Sequence, residues 1–180
     1  MGIVIAALLA IAFVIGFTFW FAFGGGVLFL PNPPKPQITY GEFPISIICE
    51  VEGTTKEIND SIVCEFDGFE LRGESGKYRK WKTYLKSGNK RLVLLRGENA
   101  AGAFEISASY GLADYYMGDY SMQSKEAYET SMKTDRYFGF IRWENGVQTG
   151  RIISKEEVWE KYHLKILKCE YSQPIQNTFE

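Results

Sequence analysis

The sequence predicts an α+β fold, mainly antiparallel β-sheet with about two helices, preceded by one N-terminal transmembrane helix. Three observations carry that expectation. An uncharged, apolar run occupies Gly2–Leu30. Apolar and polar residues alternate through Phe43–Glu52, at the period of a half-buried strand. A hairpin signal at Asn145-Gly146 then leads into a helix-start signal at Ser154.

The best membrane span is Ile3–Phe23, about 31 Å long as a helix and enough for a bilayer core. Thr18 is its only polar side chain, and Trp20 suits the headgroup boundary. Gly24, Gly25 and Gly26 follow, each costing a helix about 1 kcal/mol relative to alanine. The helix should therefore loosen there, with Val27–Leu30 near the interface. Pro31, Pro33, Pro34 and Pro36 make a stiff extended spacer. The expected organisation is a transmembrane anchor over 1–30, a Pro-rich spacer over 31–36 and a single globular domain over 37–180. A cleaved signal peptide is the competing reading, with Ala22-Phe23-Gly24 as a small-x-small site. The long apolar run and the missing basic n-region favour a retained anchor. Only Lys35 lies near the span before Lys56, so flanking charge does not set its direction.

The remainder has the length of one domain with a proper core. It is aromatic and rich in mixed charge, with a whole-chain net charge of -2; that is a folded module rather than a disordered tail. Cys49, Cys64 and Cys169 each sit in an apolar-alternating stretch, the place of a buried free thiol. A tight turn at Gly53-Thr54 would put Cys49 opposite Ile58 and Cys64 opposite Phe43, so those two do not face each other. No CxxC spacing suggests zinc.

Element by element, Phe43–Glu52 alternates Ile45, Ile47, Cys49 and Val51 against polar residues, which makes a first strand. Thr55–Phe66 returns as a second, ending at Asp67-Gly68. In Gly76–Gly88, Tyr78, Trp81 and Leu85 recur at helical spacing, gathering Arg79, Lys82 and Lys86 on the opposite face, with Gly88 as C-cap. Arg91–Leu95 and Ala103–Ser109 suit strands. Ala113–Thr130 reads as loop plus a helical turn. Tyr137–Trp143 and Val147–Ile153 form the Asn145-Gly146 hairpin. Ser154 opens a helix to Tyr162, with Glu157 as capping-box partner and Ile153 and Val158 as hydrophobic staple. Leu164–Tyr171 is the last strand.

Chemistry is sparse. His163, the only histidine, falls at a helix C-terminus, where a positive imidazole is favoured; it has no nominated partner for acid–base work. Asp114 and Asp119 flank Tyr115-Tyr116-Met117-Gly118, and with Tyr120 they could line a sugar cleft, as Glu65 and Asp67 could pair on a strand. Acid pairs at such spacings are common, and the plainer reading is structural. Gly73–Lys77 departs from the phosphate-loop pattern and reads as a turn; no calcium loop is visible. No catalytic residue, metal ligand or cofactor is nominated.

Charge is uneven. Lys77, Arg79, Lys80, Lys82, Lys86, Lys90, Arg91 and Arg96 form a basic run without an acid, whereas residues 98–132 hold six acids against Lys125. The candidate ligand-binding residues are Arg79, Lys82 and Lys86, on the basic helix face. Near a bilayer such a face gains about 1 kcal/mol per residue from anionic lipid, and outside the cell it could meet an anionic wall polymer. A solvated face is the plainer reading. No nucleic-acid-binding fingerprint is present.

Four stretches carry a resemblance: Pro36-Gln37-Ile38-Thr39-Tyr40-Gly41-Glu42-Phe43-Pro44, Cys64-Glu65-Phe66-Asp67-Gly68, Gly76-Lys77-Tyr78-Arg79-Lys80-Trp81 and Pro174-Ile175-Gln176-Asn177-Thr178-Phe179. Together they resemble an uncharacterised Gram-positive bacterial family of small proteins, each with one membrane segment and one following domain. The resemblance covers nearly all of residues 36–180 and brings no active-site residue. It implies a single-pass cell-envelope protein with its domain outside the cytoplasm, although this chain lacks the basic N-terminus usual in that group.

The function expected is a membrane-tethered extracytoplasmic interaction module, contacting the bilayer through Ile3–Phe23 and an unknown protein partner. The alternatives are a cell-envelope hydrolase acting on carbohydrate or peptide, and a cytoplasm-facing accessory subunit of a membrane complex.

Overall fold

The computed structural model describes residues 2–22, 30–71, 76–100, 102–134, 138–144 and 146–180. The chain forms two compact units, one from residues 1–35 with 67–80 and the other from 36–66 with 81–180. Among the described residues it is α+β with two antiparallel sheets and four helices, and strands predominate.

The first unit begins with helix α1, Gly2–Ala22, 21 residues long. Its hydroxyl-bearing residue, Thr18, donates Oγ1 back to the carbonyls of Val14 and Ile15, both at 2.9 Å, so that polar group is satisfied inside the helix. Ile5, Leu9, Ile11, Phe13, Val14, Ile15 and Phe17 are exposed. Among the described residues no helix is long and apolar enough to cross a membrane. The side chains of Ile3, Val4, Ala7, Leu8 and Phe19–Ala22 lie outside that set, whereas the backbone helix runs its full length. The loosening at Gly24–Gly26, the interfacial placement of Val27–Phe29, the Ala22-Phe23-Gly24 cleavage motif, the Trp20 ring and the turn at Gly73–Ser75 also fall outside the described residues. Two contacts tie this unit's parts together. Arg79 is buried and donates Nη1 to the Pro34 carbonyl at 3.2 Å, and Lys80 pairs with Asp67 at 2.6 Å.

Strand β1, Tyr40–Val51, belongs to the second unit and pairs antiparallel with β2, Thr54–Leu71, and with β8, Leu164–Tyr171. With β3, Lys77–Leu85, they make a sheet of order β3-β2-β1-β8. The β1–β2 turn is Glu52-Gly53, with φ of 49° and 76°. The sequence placed it one residue later. Both central positions of a type I′ turn need positive φ, and here Glu52 takes the first so that glycine can take the second. The register moves accordingly: Cys49 faces Lys56 and Cys64 faces Gly41. The two thiols are still not opposite, and all three cysteines are free, with Cys169 only half-buried. Burial pushes the Cys64 thiol up to about 12. Asp67-Gly68 does not end β2; the strand passes through Gly68 at φ 87°.

The second sheet has order β4-β5-β6-β7, from β4, Leu92–Asn99, β5, Gly102–Ala108, β6, Phe138–Glu144, and β7, Val147–Ile153. Glu144 faces Val147, so the loop sits at Asn145-Gly146 as expected, with Gly146 at φ 78° and Asn145 outside the described residues, as is the expected strand start at Tyr137. Between β5 and β6 lie α2, Ala113–Tyr116, and α3, Lys125–Thr134. The sequence expected only loop and a helical turn there. After β7, Ser154 caps α4, Lys155–Tyr162, accepting from Glu157 N at 3.2 Å. The capping box is half formed: the Glu157 carboxylate instead takes a bidentate pair from Arg151 and a bond from Lys161. Ile153 and Val158, the expected staple, are both buried in one core. His163 is the left-handed C-cap, with φ 47°, and its ring meets Trp159 edge-on at 6.0 Å. Phe43, Ile45, Ile47, Ile62, Ile106, Phe138, Phe140, Val158 and Leu164 share that core, so the inner faces of both sheets and of α4 are buried together.

Candidate functional site

The basic run does not form a helix. Residues 77–85 are strand β3, which corrects the expected basic helix face. Tyr78, Trp81, Thr83 and Tyr84 suit a pleated strand, and the true burial period is two: Arg79 and Leu85 are buried, while Lys80, Lys82 and Tyr84 are exposed. Arg79 therefore points to the opposite side of β3 from Lys82, and the three nominated residues share no face. The run is also neutralised locally. Lys86 pairs with Glu42 at 2.6 Å, which together with the Tyr40 hydroxyl holds the Glu42 carboxyl below its usual range. Accepting that hydrogen bond, Glu42 pushes the Tyr40 phenol up to about 12. Arg96 Nε lies 3.1 Å from the buried Glu105 carboxylate, and Arg91 lies 3.6 Å from it.

The Tyr115–Tyr120 segment is a structural centre. Tyr115, Tyr116, Met117 and Asp119 are buried. Trp81 Nε1 donates to Asp119 Oδ2 at 3.0 Å and Ser121 N donates to Oδ1 at 3.2 Å. The Tyr116 hydroxyl donates to the Tyr110 carbonyl at 2.7 Å. The expected sugar cleft of Tyr115, Tyr116 and Tyr120 is thus filled by the first two rings themselves, packed edge-on at 5.2 Å. Glu65 is likewise engaged, accepting from the Tyr84 hydroxyl at 2.7 Å.

Parts of all four motif stretches meet around this segment. Phe43 packs on Tyr116 at 4.9 Å; Phe66 meets Trp81 edge-on at 5.5 Å. Ile175 N donates to the Tyr116 carbonyl at 2.9 Å. Gln37 N donates to the Thr178 carbonyl at 2.9 Å, and Pro36 bridges Phe179. These motifs close the two ends of the unit on one another; their residue types serve packing.

A concavity lies where α4 meets β8. It has a volume of about 680 Å³ and is lined by Phe138, Lys155, Glu156, Trp159, Leu164, Lys165 and Ile166. Phe138 and Leu164 form a buried floor, while Trp159 is 48% exposed. The Glu156 backbone N–H and the Ser154 hydroxyl hold the Glu156 carboxyl below the usual range. An apolar floor with an amphipathic indole and a charged rim can hold a side chain or small amphiphile of drug-like size. The lining sets the charged groups of Lys155, Glu156 and Lys165 beside that apolar floor. Its residues come from three separate elements, which is why no sequence pattern announced it. Among the described residues no cluster of three or more His, Cys, Asp or Glu could hold a metal ion.

Compared with protein-family models, curated proteins and solved structures, the chain matches none.

Proposed function

We propose that this chain is a membrane-tethered, extracytoplasmic binding module, anchored through α1 and presenting the Trp159 groove to a partner. The observation that carries the reading is α1 itself: 21 helical residues without an ionisable side chain, whose Thr18 hydroxyl is satisfied within the helix. A bilayer demands both properties. Pro31, Pro33, Pro34 and Pro36 then lead the chain out as a stiff spacer. The family resemblance supports the extracytoplasmic side.

Two measurements on the full chain in cells test this. Alkaline carbonate should leave the protein in the membrane pellet, and Ile11→Arg with Val14→Arg should release it, since arginine at a helix centre costs insertion about 3 kcal/mol. A cysteine at exposed Lys56 should react with a membrane-impermeant maleimide in intact cells. Labelling only after lysis would give the domain to the cytoplasm, as an accessory subunit. Release of the unaltered chain by carbonate would remove the anchor.

A further inference from the structure

We infer that β7 is a self-pairing edge through which two copies of this chain join into one continuous eight-stranded sheet. β7 ends its sheet, and every residue from Val147 to Ile152 is exposed, Val147 at 62% and Ile152 at 65%. The hairpin fixes which backbone groups face outward. A two-residue loop closes on a doubly hydrogen-bonded pair, Glu144 with Val147. Every second pair then repeats that bonding: Arg142 with Thr149, Phe140 with Arg151, Phe138 with Ile153. The N–H and C=O groups of Gln148, Gly150 and Ile152 are left pointing away from β6.

Those three residues are spaced for a two-fold axis. An antiparallel copy centred on Gly150 sets Gln148 against the mate's Ile152, Gly150 against Gly150 and Ile152 against Gln148. All three outward donors and acceptors then find partners at once, as a closed isologous contact requires. Charge permits it as well. The single charged residue of β7 is Arg151, which falls opposite the mate's Thr149 and is already held by Glu157. The same axis brings the Glu144 end of one hairpin toward the Lys155 end of the other. Each other sheet edge is guarded by several charges: Lys77, Arg79, Lys80 and Lys82 on β3, Arg96 and Glu98 on β4, and Lys165, Lys168 and Glu170 on β8. Edge pairing alone buries little area, so the dimer belongs to the weak, concentration-dependent class.

Crosslinking of the full chain in cells tests the register. Gly150 lies outside the positive-φ set, and a Cβ there meets Ile141 Cγ1 and the Phe140 carbonyl oxygen at an ordinary 3.9 Å, so Gly150→Cys fits without strain. With a short bis-maleimide, Gly150→Cys should give a band of twice the chain mass that the unaltered chain does not give. Gln148→Cys should crosslink with co-expressed Ile152→Cys at least ~10-fold more than with itself, the gain of a fixed effective concentration over collision. Gly150→Lys should return the detergent-solubilised chain to monomer with an unchanged circular dichroism spectrum. The inference is overturned if Gly150→Cys yields no dimer, if Gln148→Cys links to itself as readily as to Ile152→Cys, or if the adduct is a foreign chain added to the edge.

Discussion

Asn177 grips the backbone of Ile38 at both ends of its carboxamide: Ile38 N donates to Oδ1 at 3.0 Å, and Nδ2 donates to the Ile38 carbonyl at 2.8 Å. The side chain thus takes the place of a strand neighbour between segments 139 residues apart. Next to it, Thr178 Oγ1 donates to Gln37 Oε1 at 2.7 Å. A typical net hydrogen bond contributes about 1 kcal/mol, so Asn177→Ala should cost roughly 1–2 kcal/mol in urea unfolding. Asn177→Asp should cost more, since it sets an acceptor against the Ile38 carbonyl. A loss below that of Ala for the Asp variant would refute the two-point grip.

Gly118 shows how tightly the C-terminal segment is laid down. It sits at φ 65°, and a Cβ there would stand 2.5 Å from the Ile175 carbonyl oxygen, a backbone atom. Gly53 has φ 76° with open space around it. Gly53→Ala should therefore cost only the conformational penalty, about 1–2 kcal/mol. Gly118→Ala carries that penalty plus displacement of the 174–179 segment, and should lower the urea midpoint more. Limited proteolysis should also clip its C-terminal residues first. Equal losses for the two variants would show that the close approach has no energetic weight.

What was legible in the sequence was local. The Asn145-Gly146 hairpin, the Ser154 cap, the alternation of β1 and the bounds of β8 depend on neighbouring residues alone, and each has its place. What misled was a phase shared by two periods. Trp81 and Leu85 lie on one face at helical spacing and also on one face of a strand, and the charge of Arg79 hid the buried position that completes the alternation. Helix α3 escaped because Tyr128 is its single buried residue among those described, although the Ser124 hydroxyl does accept from Ala127 N at 3.2 Å. The basic run looked like a site because its neutralising partners, Glu42 and Glu105, come from other strands. The Trp159 groove, assembled across β6, α4 and β8, is tertiary through and through.

Asp119 and Trp81 should behave as one unit. Asp119 is fully buried, and leaving a buried acceptor without its donor costs about 1–3 kcal/mol. Trp81→Phe keeps most of the ring against Phe66 but removes the donor, and a loss of about 2 kcal/mol is expected. Asp119→Ala should lose at least as much. The double variant should lose less than the sum, giving a positive coupling in a urea-unfolding cycle. Strict additivity would mean that the bond between them carries nothing, and would reopen Asp119 for another role.

The β7–α4 junction sets an acid limb on stability. Arg151 and Lys161 hold the Glu157 carboxyl down to about 2, below the roughly 4.3 of an unfolded glutamate. A group whose folded pKa is depressed stabilises above its unfolded value and loses that contribution as pH falls through the folded one. The Glu157 contribution should therefore be complete above about pH 5 and fade toward pH 2. Salt will weaken it, because the pair faces solvent. Glu157→Gln abolishes the titration while keeping a polar partner for Arg151. Urea midpoints measured at intervals from pH 7 to 2.5 should show the variant less stable than the unaltered chain at neutral pH, with the two curves converging as the acid protonates. Parallel curves across that range would mean that the Arg151–Glu157 pair, for all its bidentate geometry, contributes no pH-dependent stability.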